Sequence, residues 1–273
     1  MTSVAAAADP AVARPPARRA GPAVLGLAGL AGLLLVVELL PRLGLVSGRY
    51  LPPTSRILVA LAGELRTPAF WLAVGDTLTA WATGLLIATV AGVLAGIAIG
   101  AVPLLRAATA STVEFLRPIP SVALIPLAVL LYGSSLRSSL LLIVYAAFWQ
   151  VLVQVIAGVQ DVDPVAAETA RSYRLGWWYR IRYLLWPTAL PYVFTGVRLA
   201  AAVALVLAVT AELIIGAPGL GAQIAVAQTS NAIPLLYALI VVTGLLGVAI
   251  NLLARAAERR MLAWHQSVRG EVR

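Results

Sequence analysis

Six stretches of this sequence run for about 20 residues with few charges: 22–40 and about 80–104, 112–132, 139–158, 188–214 and 233–254. Nothing else constrains the fold as strongly. Roughly 20 apolar residues in a helix are what the ~30 Å hydrocarbon core of a bilayer requires. Inside lipid, each backbone polar group must find its partner within the segment, which helices achieve. The reading is therefore an all-α, polytopic membrane protein with about six transmembrane helices. Composition agrees, since 61% of the residues are hydrophobic and 11% are charged, whereas a soluble domain carries about 25% charge.

The basic residues orient the spans. All 20 are arginines. The sides that would face the cytoplasm hold 13 of them: Arg14, Arg18, Arg19, Arg106, Arg171, Arg174, Arg180, Arg182, Arg255, Arg259, Arg260, Arg269 and Arg273. The opposite loops hold five, and Arg117 and Arg198 lie at span ends. An excess of that sign places both termini in the cytoplasm. The net charge of +9 is explained by this asymmetry, and no nucleic acid is expected as a partner. Residues 1–21 read as a disordered basic cytoplasmic tail, 22–264 as one transmembrane domain in contact with membrane lipid, and 265–273 as a cytoplasmic tail. A secretory signal peptide is the alternative at the N-terminus. The run from Pro22 to Leu40 is long enough to span and lacks a small-x-small cleavage site, which favours an uncleaved first helix.

Within the spans, Gly92, Gly96 and Gly100 recur every four residues. Such a stripe lets a neighbouring helix approach closely. Intramolecular packing is the plain interpretation and a dimer seam the sharper one. The third span carries Pro118, Pro120 and Pro126. Prolines inside a membrane helix leave carbonyls without partners, and helices broken in this way line transport pathways. Ionisable residues in or near the spans are Glu38, Glu114, Arg117, Arg198 and Glu212. With Pro120 and Pro126, Arg117, Arg198 and Glu212 are candidate pathway residues, because burying charge in lipid is costly. Each has a plainer reading, in which Glu38 and Glu212 are solvated at outer ends, Arg117 and Arg198 snorkel, and Glu114 pairs with Arg117.

The longest polar interruption is the loop at about 159–186. Asp163 and Pro164 form a helix start. At 100° per residue, Ala166, Thr169, Ala170 and Tyr173 share one face, while Ala167, Glu168, Arg171 and Arg174 share the other. The first face is too weakly apolar for lipid and is shaped to lie against another protein. Gly176 is expected to end or turn the helix, and Trp177, Trp178 and Trp186 mark the return to the bilayer interface.

This loop resembles the cytoplasmic "EAA" loop of the membrane subunits of bacterial ABC importers. Glu168, Thr169, Ala170 and Arg171 carry the match, followed by Pro187 and Leu190-Pro191. Aligned without gaps, the family's usual glycine falls on Arg174, and the nearest glycine is Gly176. A second stretch is similar to the subgroup of permeases for nitrate, sulfonates, taurine and related solutes: Leu116, Arg117, Pro120, Ala123, Pro126, Leu127, Tyr132 and Gly133. Tyr50-Leu51-Pro52-Pro53, Gly196-Val197-Arg198, Glu212, Gly219-Leu220-Gly221 and Trp264 extend it. The resemblance implies a type I importer permease in the bacterial plasma membrane. It also implies cytoplasmic ABC ATPase subunits, an extracytoplasmic solute-binding protein and a second permease copy, forming a homodimer. The coupling residues it implies are Ala166, Glu168, Thr169, Ala170, Arg171, Tyr173, Arg174 and Gly176.

The sequence requires no cofactor and offers no catalytic set. A chain without lysine cannot form a GxxxxGK[ST] phosphate loop, so nucleotide hydrolysis would belong to another subunit. The single histidine, His265, has no metal-ligand neighbours and reads as a surface residue. With no cysteine, thiol chemistry is absent. A stand-alone secondary carrier or an integral membrane enzyme is the alternative function. The large inner loop and the lack of acid–base groups near mid-membrane favour the importer subunit.

Overall fold

The computed structural model describes residues 22–261. The expectations for the tails at 1–21 and 265–273, and for Trp264 and His265, lie outside the described residues.

The chain divides into two units at Ser55. The first contains α1 (Pro22–Arg42), an apolar helix with Arg42 in its last turn, where a cation favours the helix dipole. Glu38 is not merely solvated. It pairs with Arg42 and accepts hydrogen bonds from the Ser55 backbone N–H (2.9 Å) and hydroxyl (3.0 Å).

The second unit holds all but the first two residues of α2 (Thr54–Glu64), and then α3 (Pro68–Ala101). It goes on to α4 (Pro103–Leu116), a 3-10 turn (Ser121–Leu124), α5 (Ile125–Tyr132) and α6 (Leu136–Gln160). Then follow α7 (Pro164–Ser172), α8 (Trp177–Arg180), a π-helical turn (Ile181–Leu185), α9 (Trp186–Ile215), α10 (Leu220–Thr229) and α11 (Ile233–Met261). Among the described residues, five helical segments are long and apolar enough to cross a membrane, or up to six if the bent pair at 103–132 is one span.

Three helices form the core, with α6 between α3 and α9. The glycine stripe makes this possible. A Cβ on Gly84 would lie 2.5 Å from Ile143 Cγ2, and Cβ atoms on Gly92, Gly96 and Gly100 would lie 2.6–2.8 Å from the Cβ atoms of Val151, Val155 and Val159. The stripe therefore packs inside the chain. Each partner is numbered 59 higher, so α3 and α6 run parallel. On the other side Gly158 meets Tyr192 and Gly196 meets Gln154 and Val151, which makes α9 antiparallel to α6. The Trp81 indole N–H donates to the Ala201 carbonyl at 2.9 Å and ties α3 to α9.

Two boundaries differ from the sequence reading. The second span begins at Pro68 rather than near residue 80, because Thr67 caps the helix by accepting the Phe70 N–H at 3.3 Å and Pro68 fits its first turn. The third span is not one helix over 112–132. The pair 103–116 and 121–132 is bent by 83°. The prolines are also less costly than expected, because they sit where no amide donor is needed. Pro118 follows the end of α4, Pro120 precedes the 3-10 turn and Pro126 lies in the first turn of α5. The segment still crosses. Because α3 and α6 are parallel, residues 102–135 must return the chain from one end of the core to the other.

Candidate functional site: a docking loop and the opposite end of the core

Asp163 caps α7, its carboxylate accepting the N–H groups of Val165 (2.7 Å) and Ala166 (3.3 Å). The far end closes by hydrogen bonds from Arg174 N–H to the Arg171 carbonyl (2.9 Å) and from Leu175 N–H to the Ala170 carbonyl (3.0 Å). This is a Schellman end, which requires a left-handed residue at its turn. Arg174 supplies it, with φ +50. Gly176, at φ −59, is not the turning residue. The position where the alignment expects glycine is thus the one that benefits from it. Left-handed backbone costs an L-residue roughly 1–2 kcal/mol, partly offset by the greater chain entropy of glycine. Arg174→Gly should therefore stabilise the α7 end by up to about 1 kcal/mol, read as slower amide hydrogen exchange across 170–176.

The faces of α7 also differ from the helical-wheel reading. Ala170 is 5% exposed, so the chain itself already covers its methyl. Ala166 and Ala167 are half-buried, although the wheel set them on opposite faces. Val165, Glu168, Thr169, Arg171, Tyr173 and Arg174 are exposed, Tyr173 at 77%. The base of the loop is tied. The Tyr192 hydroxyl of α9 donates to Asp161 at the end of α6 (2.8 Å), and the Tyr192 side chain fills the space a Cβ of Gly158 would need.

The proposed pathway residues do not converge. Arg117 is exposed at the end of α4 and makes no ion pair with Glu114 among the described residues. Arg198 pairs with Glu258 at 3.3 Å, linking α9 to α11. Glu212, a candidate pathway residue whose plainer reading is solvation at an outer end, is 1% exposed, which excludes the plainer reading. Its Oε2 accepts the Gly221 N–H and the Thr77 hydroxyl, both at 2.9 Å, and Thr77 accepts the Leu220 N–H at 2.9 Å. One carboxylate oxygen thus gathers the first turn of α10 onto α3 and α9. A Cβ on Gly219 would lie 2.2 Å from Glu212 Cδ, and one on Gly221 2.2 Å from the Val209 carbonyl oxygen. The Gly219-Leu220-Gly221 motif is the cradle of that carboxylate. Asp76, Thr77 and Ser139 complete this end and escaped the sequence reading. Asp76 would have counted among the span's ionisable residues had Thr67-Pro68 been taken as the helix start.

Residues 88–263 match the family described as binding-protein-dependent transport system inner membrane component. The chain belongs to this family. It is 32% identical to the taurine transport system permease protein of Escherichia coli, over 89% of this chain and 90% of that one. It is 29% identical to a nitrate import permease protein of Leptolyngbya laminosa, over 67% of this chain and 66% of that one. Among solved structures, the methionine ABC transporter in inward-facing conformations superposes with a TM-score of 0.61 at 19% identity. That match covers 71% of this chain and 97% of the other. The fold is that of an ABC importer permease, and the protein is a multi-pass component of the bacterial inner membrane. It is a transport subunit.

Proposed function

We propose that the permease lies with both termini in the cytoplasm, pairs with a second copy of itself, and couples through α7 to a separate ABC ATPase. Cargo reaches it from an extracytoplasmic binding protein. Relatives named for taurine and nitrate support a small, anion-bearing cargo. The observation that carries the reading is α7 itself, a short capped helix fixed to its chain by one face, with an aromatic side chain left exposed on the other. Val165, Glu168, Thr169 and Tyr173 are the contact residues, Arg171 and Arg174 supply charge, and Ala166 and Ala170 seat the helix. ATP-driven closure of the ATPase pair would shift the permeases between inward- and outward-facing populations.

The test substitutes Tyr173 by Glu. An exposed aromatic that becomes buried on docking is of the kind whose loss costs ≥2 kcal/mol, about thirtyfold in affinity. Co-purification of the ATPase subunit and solute uptake should both fall, while membrane insertion is unchanged. An unaltered ATPase yield would remove α7 from the coupling role. A reporter fused within 164–174 should read cytoplasmic and one within 50–66 external. The reverse assignment would overturn the orientation.

A further inference from the structure

A groove of about 680 Å³ runs between α9 and α11, from Arg198 and Asn251 at one end to Thr210 and Thr243 at the other. Leu205, Val206, Val209 and Val248 line its length, and Arg198 is the one charged residue in its wall among the described residues. The Thr243 hydroxyl donates to the Ile240 carbonyl at 2.7 Å, so that donor needs nothing from an occupant. Arg198 and Thr210 lie about 18 Å apart along α9, at 1.5 Å per residue. Half of a ~30 Å hydrocarbon core is about 15 Å. The groove is therefore one leaflet deep and suits an acyl chain. Gly244 helps to keep it open. A Cβ there would meet nothing within 4 Å, so this glycine, unlike those of α3, serves no close helix contact within the chain. Glycine inside a helix is unfavourable relative to leucine, and no internal packing offsets that here.

The charge at the mouth selects the occupant. Arg198 pairs with Glu258 at 3.3 Å, which commits that carboxylate. Arg255 stands four residues after Asn251, hence on the same face of α11 and one turn further on. It is exposed and makes no ion pair among the described residues. Arg259 and Arg260 follow in the last turn, where cations also answer to the helix dipole. That effect falls off within the last turn and does not account for Arg255. Arg198 and the end of α11 thus bring four arginines against one carboxylate. A small free anion would use the arginines and leave the apolar groove empty. A neutral apolar chain would fill the groove and leave the arginines without a partner. A phospholipid whose phosphate is not balanced by an ammonium of its own fits both parts, and basic pockets between membrane helices are known to hold such head groups.

We infer that the groove between α9 and α11 is a binding site for one anionic phospholipid, its acyl chain against Leu205, Val206 and Val248 and its phosphate at Arg255 beside the Arg198–Glu258 pair. A lipid seated there bridges α9 and α11 where the ion pair already links them. Its placement in the cytoplasmic leaflet rests on the orientation proposed for the permease, and the site itself does not.

The full-length protein is purified in detergent, delipidated, and titrated with dioleoylphosphatidylglycerol, with dioleoylphosphatidylcholine and with glycerol 3-phosphate while its unfolding temperature is followed. A lipid that binds only the folded state raises that temperature by mass action. Phosphatidylglycerol should act at about fivefold lower concentration than phosphatidylcholine, the contribution of one basic residue beside an anionic head group. Arg255→Gln should remove that preference. Glycerol 3-phosphate should do nothing, because it leaves the groove empty. Gly244→Leu should fill the groove and abolish the response to phosphatidylglycerol, while the lipid-free protein unfolds at the same temperature or higher, since leucine favours the helix. Val206→Phe, at an exposed position lining the same groove, repeats the block should Gly244→Leu not fold. Equal potency of the two lipids, a matching response to glycerol 3-phosphate, or a phosphatidylglycerol response that survives both blocking variants overturns the site. If the blocking variants instead split a dimer and keep the lipid preference, the groove is a seam between copies. If they stop solute uptake and keep the lipid preference, it is part of the solute path. Either result also overturns the lipid site. A reporter that places residues 50–66 in the cytoplasm moves the lipid to the other leaflet and leaves the detergent titrations as the test of the site.

Discussion

Gly96→Leu is expected to destabilise the helical core by on the order of 3 kcal/mol or more, at the upper end for overpacking. The first added atom already fails to fit. A Cβ at this position stands 2.6 Å from Val155 Cβ and 3.3 Å from the Leu152 carbonyl oxygen. A leucine adds three further carbons, and relief by rotamer change is blocked because the obstruction includes backbone. Separating α3 from α6 at Gly96 also opens the contacts of Gly92 with Val151 and Gly100 with Val159, because the register is continuous. The measurement is thermal unfolding of the purified protein, followed by monodisperse elution. Pairing Gly96→Leu with Val155→Ala should recover part of the loss, and the coupling between the two sites should appear as non-additivity. If the stripe were instead a seam between protomers, Gly96→Leu would dissociate a dimer and leave each chain folded, and Val155→Ala would rescue nothing.

Glu212→Ala is the second large effect. It strips the acceptor from the Gly221 N–H and from the Thr77 hydroxyl, in a place where neither can reach water freely. Each buried donor left unpaired costs about 1–3 kcal/mol, so the expected loss is about 2–6 kcal/mol. The damage should concentrate at the first turn of α10, because that helix begins with the two residues the network holds. Glu212→Gln keeps one acceptor oxygen and should cost markedly less. Hydrogen exchange of residues 219–224 and the unfolding temperature of both variants decide the matter. Equal behaviour of the Ala and Gln variants would mean that the carboxylate does not organise this end.

How much of this was legible beforehand depended on whether the relevant partner was near in sequence. The glycine stripe was legible because the four-residue period is itself the packing rule, although its partner helix was not. The capping of α7 by Asp163 was readable for the same reason, being a matter of three neighbouring residues. Which face of α7 turns inward was not, since a helical wheel ranks faces by polarity and cannot see what lies beneath. Ala170 is covered and Tyr173 exposed, though the wheel set them together. Glu212 stood out in the sequence as an ionisable residue of a span, but its burial was not legible, because Thr77, 135 residues away, and the returning first turn of α10 close over it. The prolines of the third segment were recognised as helix breakers. That they fall at helix starts follows only once the 83° bend is known. The glycine missing at Arg174 was visible as a departure from the family pattern, and the left-handed backbone there supplies its physical meaning.

The tie at the base of the loop that carries α7 bears on how force would travel through the docking proposed above. Tyr192 reaches from α9 to Asp161 and occupies the notch of Gly158, so the loop leaves and re-enters the core through a closed neck. On the coupling role proposed for α7, a displacement of that helix would reach α6 and α9 together. From there α9 runs about 30 Å further, at 1.5 Å per residue from Tyr192 to Glu212. If α7 docks a partner as proposed, the exposed helix would be the short arm of a lever, with the carboxylate that holds α10 at the end of the long one.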